Sequence, residues 1–511
     1  MERSVTGFRT NLERHDDPIM TEPHEKSDSE RLKTAIESQR WFEAIELGES
    51  VLREPPFDPE TSRFMARANI EVGNQATALM FLRSMHEAQP DNTSILIAMT
   101  RAQVVLGDAR SAMDNFSTII SRSGSISPRE YHRIRLEIGD LMLRLNKLDQ
   151  LEEMLAEWQA EKRHGPRIAS LHSKLMQARG QYEKAAEGFS ALTKAPKINI
   201  GLRLQAYFDL SKVLDRLGRY DEAFEAARQA NEHTATSELR FDRDGYRHET
   251  DRMIRYFTPE RIERLGTNGR GDESPVFIVG MPRSGTTLTE QVISAHPSGA
   301  GIGEQREPII ACETLAHLTG TDFPECLDDA PADLLGALGE RYLRMSRGLS
   351  GDATRVTNKA LGLERAIGGI QVMLPGSRVI FVRRDPLDSL LSIYLHPLEG
   401  ALYPWSRSIE DIAFVRQEFD RLVAHWMATA SLPMLELDYE TFTKTQFETT
   451  TRILDFLDLA PSEDCLKFHE SKRYVRTPSY DQVNKPLNQN AIGRWRNYEK
   501  HLGPAIEAFG G

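Results

Sequence analysis

The first part of the chain has apolar residues at helical spacing and no strand-like alternation. Glycine or asparagine recurs at one point of this pattern, at Gly73, Gly107, Asn146 and Gly180, and each is followed by a short polar spacer and a run of helix formers. Gly73 and Gly107 are 34 residues apart, as are Asn146 and Gly180. Because a constant period of this length is typical of stacked helical hairpins, the pattern predicts helix–turn–helix repeats.

The best copy of this pattern is GRYDEAFEAARQAN, residues 218–231, with Tyr220, Ala223, Phe224 and Ala227 at its recurrent positions. It resembles the tetratricopeptide repeat, in which such residues pack the helices together. Five or six units would stack into a curved solenoid whose concave face suits peptides or partner proteins. A generic helical bundle is the alternative. The predicted repeat domain covers 30–240, and the polar residues 1–29 are expected to form a disordered tail.

From residue 272 the pattern changes to short apolar runs, PVFIVG (275–280), SRVIFVRR (377–384) and PMLELDY (433–439), separated by longer helical stretches. Buried strands that alternate with helices predict a parallel sheet in an α/β domain. The predicted fold is therefore a tetratricopeptide-like helical solenoid followed by a P-loop-like α/β domain over 272–511. In such sheets, ligands bind beyond the carboxyl ends of the strands.

Composition narrows the function classes. The chain is 40% hydrophobic and 27% charged with a net charge of −12, which argues against a nucleic-acid partner. Three widely spaced cysteines lack metal-ligand spacing and indicate a reducing compartment without a disulfide framework. No apolar run reaches the length of a membrane span, and the first residues lack the apolar core of a signal peptide. We therefore expect a cytoplasmic protein.

The loop after the first predicted strand reads GMPRSGTT over 280–287, and it is close to the P-loop pattern except that Thr286 replaces the lysine. A damaged triphosphate site, another kind of phosphate site and an ordinary turn are the three interpretations. A glycine-rich loop that opens a helix directs backbone N–H groups at an anion. Gly285 permits close approach, Thr286 and Thr287 add hydroxyl donors, and Arg283 adds charge. The missing lysine argues against triphosphate chemistry.

PVFIVGMPRSGTTL resembles the 5′-phosphosulfate loop of sulfotransferases that use 3′-phosphoadenosine-5′-phosphosulfate (PAPS). Among these the chain is most similar to the tyrosylprotein sulfotransferases and to bacterial proteins that join such a domain to tetratricopeptide repeats. The resemblance covers roughly residues 272–502. It implies that the 5′-phosphosulfate is bound by Arg283, Ser284, Gly285, Thr286 and Thr287.

Two further segments carry the catalytic residues of this resemblance. AHPSGAGIGEQRE, residues 295–307, places Glu304 at the position of the family's catalytic base and Arg306 at its downstream arginine. TNKALGL places Lys359 at the lysine that contacts the sulfuryl group, although the usual Asp or Met-Pro neighbours are missing. His296 in the first segment precedes a proline and is expected to be structural.

The resemblance also implies a site for the 3′-phosphate and the adenine. VIFVRRDPLDSLLSIY matches the 3′-phosphate element, and RTPSYDQVNKPLNQNAIGRW matches the closing segment, in which arginine replaces the usual lysine and the following Trp495 is expected in the core. Arg383 is the alternative phosphate ligand, but the register of the Asp-Pro that follows favours its neighbour, so we expect Arg383 to pair at the surface. The implied ligands are Arg384, Ser392, Tyr439, Ser479 and Arg494.

These residues together predict sulfuryl transfer from PAPS to an acceptor hydroxyl, most simply a protein tyrosine. Glu304 is the expected general base, Arg283 and Lys359 are the expected cations, and no metal is expected. The repeats would recruit the acceptor protein or peptide. A P-loop-like kinase or NTPase and a non-catalytic repeat scaffold remain as alternatives. A sugar or small-molecule hydroxyl remains open as the acceptor.

Overall fold

The computed structural model describes residues 28–38, 40, 41, 44, 45, 47, 48, 59–71, 74–122, 124, 126–234, 240–266, 269, 271–396, 398, 403–470 and 487–510. In the described residues of the first part, all the regular elements are helices. Its helices are α1 (Asp28–Glu37), α2 (Pro59–Glu71), α3 (Gln75–Ala88), α4 (Thr93–Leu106), α5 (Ala109–Ser121), α6 (Pro128–Arg144), α7 (Leu148–Ala160), α8 (Pro166–Ala178), α9 (Tyr182–Lys194), α10 (Ile200–Arg216) and α11 (Tyr220–Thr234).

The recurrent glycine and asparagine positions are the turns inside successive helix pairs. Gly107, Asn146, Gly180 and Gly218 have φ values of 84°, 54°, 74° and 74°, in the left-handed region that ends a helix and reverses the chain. Glycine reaches this region without steric cost, and asparagine tolerates it better than most residues. The sequence period therefore arises from backbone geometry. Gly73 lies outside the described residues.

The repeat packing residues are buried as the pattern predicts. Ala223 and Ala227 of α11 are fully buried and Phe224 is almost so. Helix starts are capped as well: the Asn92 side chain accepts hydrogen bonds from Ser94 N and Ile95 N at the start of α4. Side chains that satisfy orphan N–H groups stabilise such short helices. The predicted tetratricopeptide-like solenoid is confirmed.

The second part is built around a parallel sheet of five strands in the order β2-β3-β1-β4-β5. The strands are β1 (Pro275–Val279), β2 (Gly299–Gly301), β3 (Arg355–Asn358), β4 (Arg378–Arg383) and β5 (Met434–Asp438). All five residues of β1 are buried, as expected for a central strand covered by helices on both faces. The predicted α/β class with a parallel sheet is confirmed.

Helices cover the sheet and precede it. They are α12 (Arg243–Tyr256), α13 (Pro259–Leu265), α14 (Thr286–Ser294), α15 (Glu307–Thr319), α16 (Ala332–Ser350), α17 (Leu363–Met373), α18 (Pro386–Tyr394), α19 (Ile409–Thr429), α20 (Tyr439–Lys444), α21 (Gln446–Phe456) and α22 (Gly503–Ala508). Short 3-10 helices occur at Glu325–Leu327, Pro404–Arg407, Glu463–Cys465, Phe468–Glu470 and Arg494–His501.

The repeats contact the sheet domain at two separate places. Near the start of the solenoid, the buried carboxylate of Glu307 in α15 accepts hydrogen bonds from Asn74, at the start of α3, and from Arg341. At its end, Asn231 of α11 donates to the carbonyl of Tyr394 at 3.1 Å. Apolar side chains of both parts share one core. The two parts therefore pack as one body in the described region.

The helices α12 and α13 lie between the two predicted domains, 30–240 and 272–511, and pack on the sheet domain. Phe257, which follows α12, is fully buried, and its ring centroid lies 5.1 Å from that of Trp426. Of the predicted tail 1–29, only the backbone of residues 28 and 29 is described, where it begins α1. The predicted domain limits remain predictions.

Candidate active site

The carboxyl ends of all five strands each provide one residue that the sequence indicated. Arg283 lies in the loop after β1, Glu304 follows β2, Lys359 directly follows β3, Arg384 directly follows β4, and Tyr439 directly follows β5. Because parallel strands end at the same edge of the sheet, five segments far apart in sequence meet at this edge. This edge is the candidate active site.

The 280–285 loop is a tight turn that opens α14. Arg283 has φ 68° and Gly285 has φ 107°, so two residues adopt left-handed backbone conformations within three positions. A Cβ atom on Gly285 would lie 2.6 Å from Cδ2 of Tyr439. Glycine is therefore required here both by backbone conformation and by the Tyr439 ring. Thr286 and Thr287 form the buried first turn of the helix.

One hydroxyl of this loop is buried without a partner. Ser284 is 1% exposed, and its Oγ makes no hydrogen bond with any of the described residues. A free hydroxyl beside the N–H groups at the start of a helix can donate to an anionic oxygen. The predicted role of Ser284 in binding a phosphosulfate fits this position.

Arg384 links the loop to two other segments. Its Nη1 donates to the carbonyl of Arg283 at 2.8 Å, and its Nη2 donates to the carbonyl of Ala491 at 2.6 Å. The guanidinium also lies 4.8 Å from the centroid of the Tyr439 ring. Its Nε is buried without a partner among the described residues. Arg384 therefore holds the loop in place, and its Nε–H is still available as a donor.

Arg383 has a different environment. Its Nε lies 2.7 Å from Oε1 of Glu436, the neighbouring strand's carboxylate, and its Nη1 lies 3.8 Å from Asp420. This ion pairing is the surface role expected for Arg383. In the part of the chain that the structure describes, no hydrogen bond or ion pair joins Arg383 to the 280–285 loop.

Ser392 lies on α18 and contacts the loop from the other side. Nε of Arg283 donates to Ser392 Oγ at 3.0 Å, across 109 positions of sequence. One turn further on, the His396 ring bonds the Ser392 carbonyl at 2.8 Å. Burial, reinforced by the nearby charge of Arg283, lowers the pKa of His396 well below its ordinary value. The imidazole is therefore neutral at pH 7 and adds no positive charge.

Glu304 and Lys359 form the central ion pair of the site. Lys359 Nζ lies 2.6 Å from Glu304 Oε1. The lysine side chain is 2% exposed, whereas the glutamate side chain is 45% exposed. A buried cation thus faces a carboxylate that solvent can reach. The structure brings these two predicted catalytic residues into direct contact.

The segment that carries Glu304 is held on both sides by backbone contacts. Gly303 N donates to the buried carboxylate of Glu290 in α14 at 3.0 Å, and the Gly303 carbonyl accepts from Lys359 N at 2.9 Å. Asn358 forms two hydrogen bonds with the backbone of Gln305, at 2.9 and 3.2 Å. These bonds fix the backbone on each side of Glu304.

Sequence reasoning missed Glu290 and Asn358 as site residues. The available signal for Glu290 was a charged residue inside the otherwise uncharged stretch TTLTEQVIS of α14. Asn358 was recognised only as the neighbour of Lys359. Both act on the backbone of a distant segment, so their partners could not be read from local spacing.

Arg494 lies at the boundary with the repeats. Its Nη2 is 2.6 Å from Oδ1 of Asp215, in α10. The predicted ligand Ser479 lies outside the described residues.

Two other residues of the Glu304 segment make structural contacts. Arg306 lies 3.6 Å from Glu313 of α15. His296 bonds the carbonyl of Ala460 at 2.9 Å, a structural contact as expected.

A family comparison agrees with this geometry. Residues 275–464 match the model of the sulfotransferase family, a range that contains all five strands. Over this range the C-terminal domain is similar to the sulfotransferase family. The match covers the 280–285 loop, Glu304, Lys359, Arg384 and Tyr439, and it ends before Arg494.

Individual relatives agree over parts of the chain. An uncharacterised protein of Aquifex aeolicus (strain VF5) is 30% identical over 324 residues, which are 62% of this chain and 42% of that protein. Protein-tyrosine sulfotransferase A of Caenorhabditis elegans is 25% identical over 252 residues, 45% of this chain and 63% of that protein. The chain thus spans less than two thirds of the length of each.

The chain is also similar to solved structures, at low sequence identity. A tetratricopeptide repeat protein from Parabacteroides merdae ATCC 43184 is 15% identical, with coverage of 46% of this chain and 87% of that chain and a TM-score of 0.34.

Two buried side-chain donors and an accessible stretch of loop backbone lie at this edge of the sheet. The Ser284 hydroxyl and the Arg384 Nε–H are buried donors without a partner among the described residues. Gly285 has no side chain, so a ligand can approach the loop backbone closely. Among the described residues, no group of three or more His, Cys, Asp or Glu could hold a metal ion. Likewise, no described helix is both long and apolar enough to cross a membrane.

Proposed function

We propose that this protein transfers a sulfuryl group from PAPS to an acceptor hydroxyl, and that the acceptor is a tyrosine of a protein or peptide. The observation that carries the proposal is the Glu304–Lys359 pair at the carboxyl edge of the sheet, where the glycine-rich 280–285 loop follows the neighbouring strand β1. A base and a cation are thereby held beside the site for the transferable group.

Glu304 is proposed to accept the proton of the acceptor hydroxyl. The acceptor oxygen forms a bond to sulfur as the bond from sulfur to the donor's 5′-phosphate oxygen breaks, and the phosphate departs with the bonding electrons. A phenol has an ordinary pKa of about 10, so removing its proton at neutral pH requires a base. A well-placed general base contributes about 10²–10⁴-fold. The 45% exposure of Glu304 leaves it within reach of a bulky acceptor.

Lys359 and Arg283 are proposed to stabilise the negative charge of the sulfuryl and 5′-phosphate oxygens. Lys359 is well suited because it is almost fully buried, where a positive charge acts on nearby oxygens with little screening by water. Arg283 is held by Ser392 and is therefore oriented before the donor binds. Such preorganisation is the main contribution a protein makes to a transfer of this type.

Donor selection is proposed to depend on the 3′-phosphate. Arg384, with an unpartnered buried Nε, and Ser392 lie beside the loop, and the resemblance assigns Ser479 and Arg494 to the same phosphate. Tyr439 is proposed to lie near the adenine. A protein acceptor is favoured by the relative named protein-tyrosine sulfotransferase A and by the repeats packed against the domain.

The test is to incubate the protein with sulfur-labelled PAPS and a panel of tyrosine peptides, sugars and small alcohols, and to locate the label by mass spectrometry. We expect label on tyrosine with the wild type. Glu304→Gln should lose transfer by at least about a hundredfold while its affinity for adenosine 3′,5′-bisphosphate is kept. Glu436→Gln is the matched control, because Glu436 is a half-exposed carboxylate of β5 that is likewise paired with a basic side chain, Arg383.

Label on a sugar or small alcohol instead of tyrosine would contradict the proposed acceptor but would still support sulfuryl transfer from PAPS. Wild-type transfer rates in Glu304→Gln would remove Glu304 from the role of base. No transfer to any acceptor, together with no binding of the bisphosphate, would contradict the proposed function as a whole.

A further inference from the structure

The contact between the repeats and Arg494 suggests a role for the repeat domain inside the donor site. We propose that Asp215, in helix α10 of the last repeat, is a positioning residue that orients Arg494 toward the donor's 3′-phosphate. The repeat domain would then complete the donor site in addition to recruiting an acceptor. This inference rests on the proposed function.

The backbone of Arg494 is fixed beside the 3′-phosphate element. The buried carboxylate of Asp388 accepts hydrogen bonds from Gly493 N at 2.6 Å and from Trp495 N at 2.9 Å, which are the neighbours of Arg494 on each side. Asp388 and Ser392 are four residues apart on α18 and therefore lie on the same face of the helix. Ser392 holds Arg283 of the loop.

The side chain of Arg494 is fixed by the repeats. Its Nη2 lies 2.6 Å from Oδ1 of Asp215, and the hydroxyl of Tyr498 donates to the same oxygen at 2.6 Å. The side chains of Arg494 and Asp215 are 24% and 16% exposed, so the ion pair is largely shielded from water. Burial alone would lower the pKa of Arg494, but the Asp215 carboxylate raises it.

Orientation, rather than competition for the phosphate, is the role that fits this geometry. A guanidinium has five N–H donors in a rigid plane, so a carboxylate on Nη2 leaves other N–H groups to bind an anion. A fixed arginine binds an anion with a smaller loss of side-chain entropy than a mobile one. Asp215 should therefore strengthen binding of the 3′-phosphate.

The surrounding interface does not depend on Asp215 alone. Asp221 of α11 bonds Lys500 at 2.7 Å and His501 at 3.0 Å, and Phe224 stacks on the His501 ring with centroids 4.2 Å apart. A change of Asp215 to the isosteric asparagine should therefore leave the repeats docked. Asp221→Asn is a matched control, since Asp221 bridges the same two parts without touching Arg494.

The experiment measures two ligands on the full chain by calorimetry. Adenosine 3′,5′-bisphosphate carries the 3′-phosphate, and adenosine 5′-phosphosulfate lacks it. We expect Asp215→Asn to weaken binding of the bisphosphate by about tenfold. Binding of the phosphosulfate should stay within about twofold of the wild type, because Arg494 is proposed to contact the 3′-phosphate and this ligand has none. Asp221→Asn should change neither affinity.

Three results would overturn the inference: equal weakening of both ligands, no change, or tighter binding of the bisphosphate. The expected loss should also vanish in an Arg494→Ala background, because Asp215 acts through that arginine. If Asp215→Asn does not fold, Tyr498→Phe, which removes the other partner of the carboxylate, should give a smaller loss with the same ligand selectivity. If the wild type binds neither ligand, the proposed function and this inference both fail. If the wild type prefers the bisphosphate and Asp215→Asn keeps the same preference, only this inference fails.

Discussion

Gly285→Ala is the substitution for which the structure gives the sharpest expectation. The residue has φ 107° at the start of α14, and an added Cβ would lie 2.6 Å from Cδ2 of Tyr439. Carbon atoms in ordinary contact are about 3.5–4.0 Å apart, so the Tyr439 ring must move by about 1 Å. This movement displaces the ring from Arg384, whose guanidinium now lies 4.8 Å from its centroid.

Two costs add to each other in this variant. A left-handed backbone with a side chain costs roughly 1–3 kcal/mol. Loss of the contact between Arg384 and Tyr439 adds roughly 0.5–2 kcal/mol. Gly362→Ala separates them, because Gly362 also precedes a helix with φ 89°, yet its added Cβ would meet nothing closer than Cδ1 of Ile309 at 3.5 Å. Gly362→Ala should therefore show the backbone cost only.

The assay is thermal unfolding together with calorimetric binding of adenosine 3′,5′-bisphosphate. Gly285→Ala should lower the unfolding temperature more than Gly362→Ala, and it should weaken bisphosphate binding by at least about tenfold, which corresponds to about 1.4 kcal/mol. Gly362→Ala should bind the bisphosphate as the wild type does. Equal affinities for the two variants would refute the reasoning that the 280–285 loop and the Tyr439 ring form one binding surface.

Further substitutions test separate parts of the site and its surroundings. Arg384→Ala should weaken bisphosphate binding by about tenfold or more, whereas Arg383→Ala should leave it unchanged in the same titration; the reverse result would exchange their roles. Asn358→Ala removes both bonds to the segment that carries Glu304, so kcat should fall by about tenfold at unchanged bisphosphate affinity, and the loss should be absent in a Glu304→Ala background. His396 remains neutral in the folded protein while the unfolded chain gains its proton below about pH 6.5, so the free energy of unfolding should fall as the pH drops from 7 to 5. His396→Gln should reduce that slope in denaturant titrations, and an unchanged slope would show that His396 is protonated in the folded state.

The repeat fold could be predicted because its turns require particular residues. Gly180 and Gly218 each occupy a left-handed turn between two helices, which favours glycine. Because the helix pairs repeat, such residues recur at regular positions that can be recognised in the sequence. The strands β1, β4 and β5 were also predicted, since β1 and β4 are mostly apolar runs and β5 has apolar residues at Met434, Leu435 and Leu437. The strands β2 and β3 were not predicted. The first is Gly-Ala-Gly and the second is Arg-Val-Thr-Asn, so neither has the apolar pattern of a buried strand.

The site could be predicted where a single loop carries the chemistry. The composition of 280–287 indicates an anion site by itself, and the resemblance supplied Glu304 and Lys359 as separate residues. Their ion pair depends on the adjacency of β2 and β3, which the sequence did not reveal. The contact of Asp215 with Arg494 joins residues that lie in different parts of the chain, and no local pattern predicts it.

The most direct test of the central claim is a titration of the wild-type protein with adenosine 3′,5′-bisphosphate and, separately, with ATP in the presence of Mg²⁺. A site formed by the 280–285 loop and Arg384 should bind the bisphosphate without a divalent cation, and at least about tenfold more tightly than Mg-ATP, because only the bisphosphate provides a 3′-phosphate. Tighter binding of ATP that requires Mg²⁺, with no measurable affinity for the bisphosphate, would contradict the account and favour a kinase or NTPase.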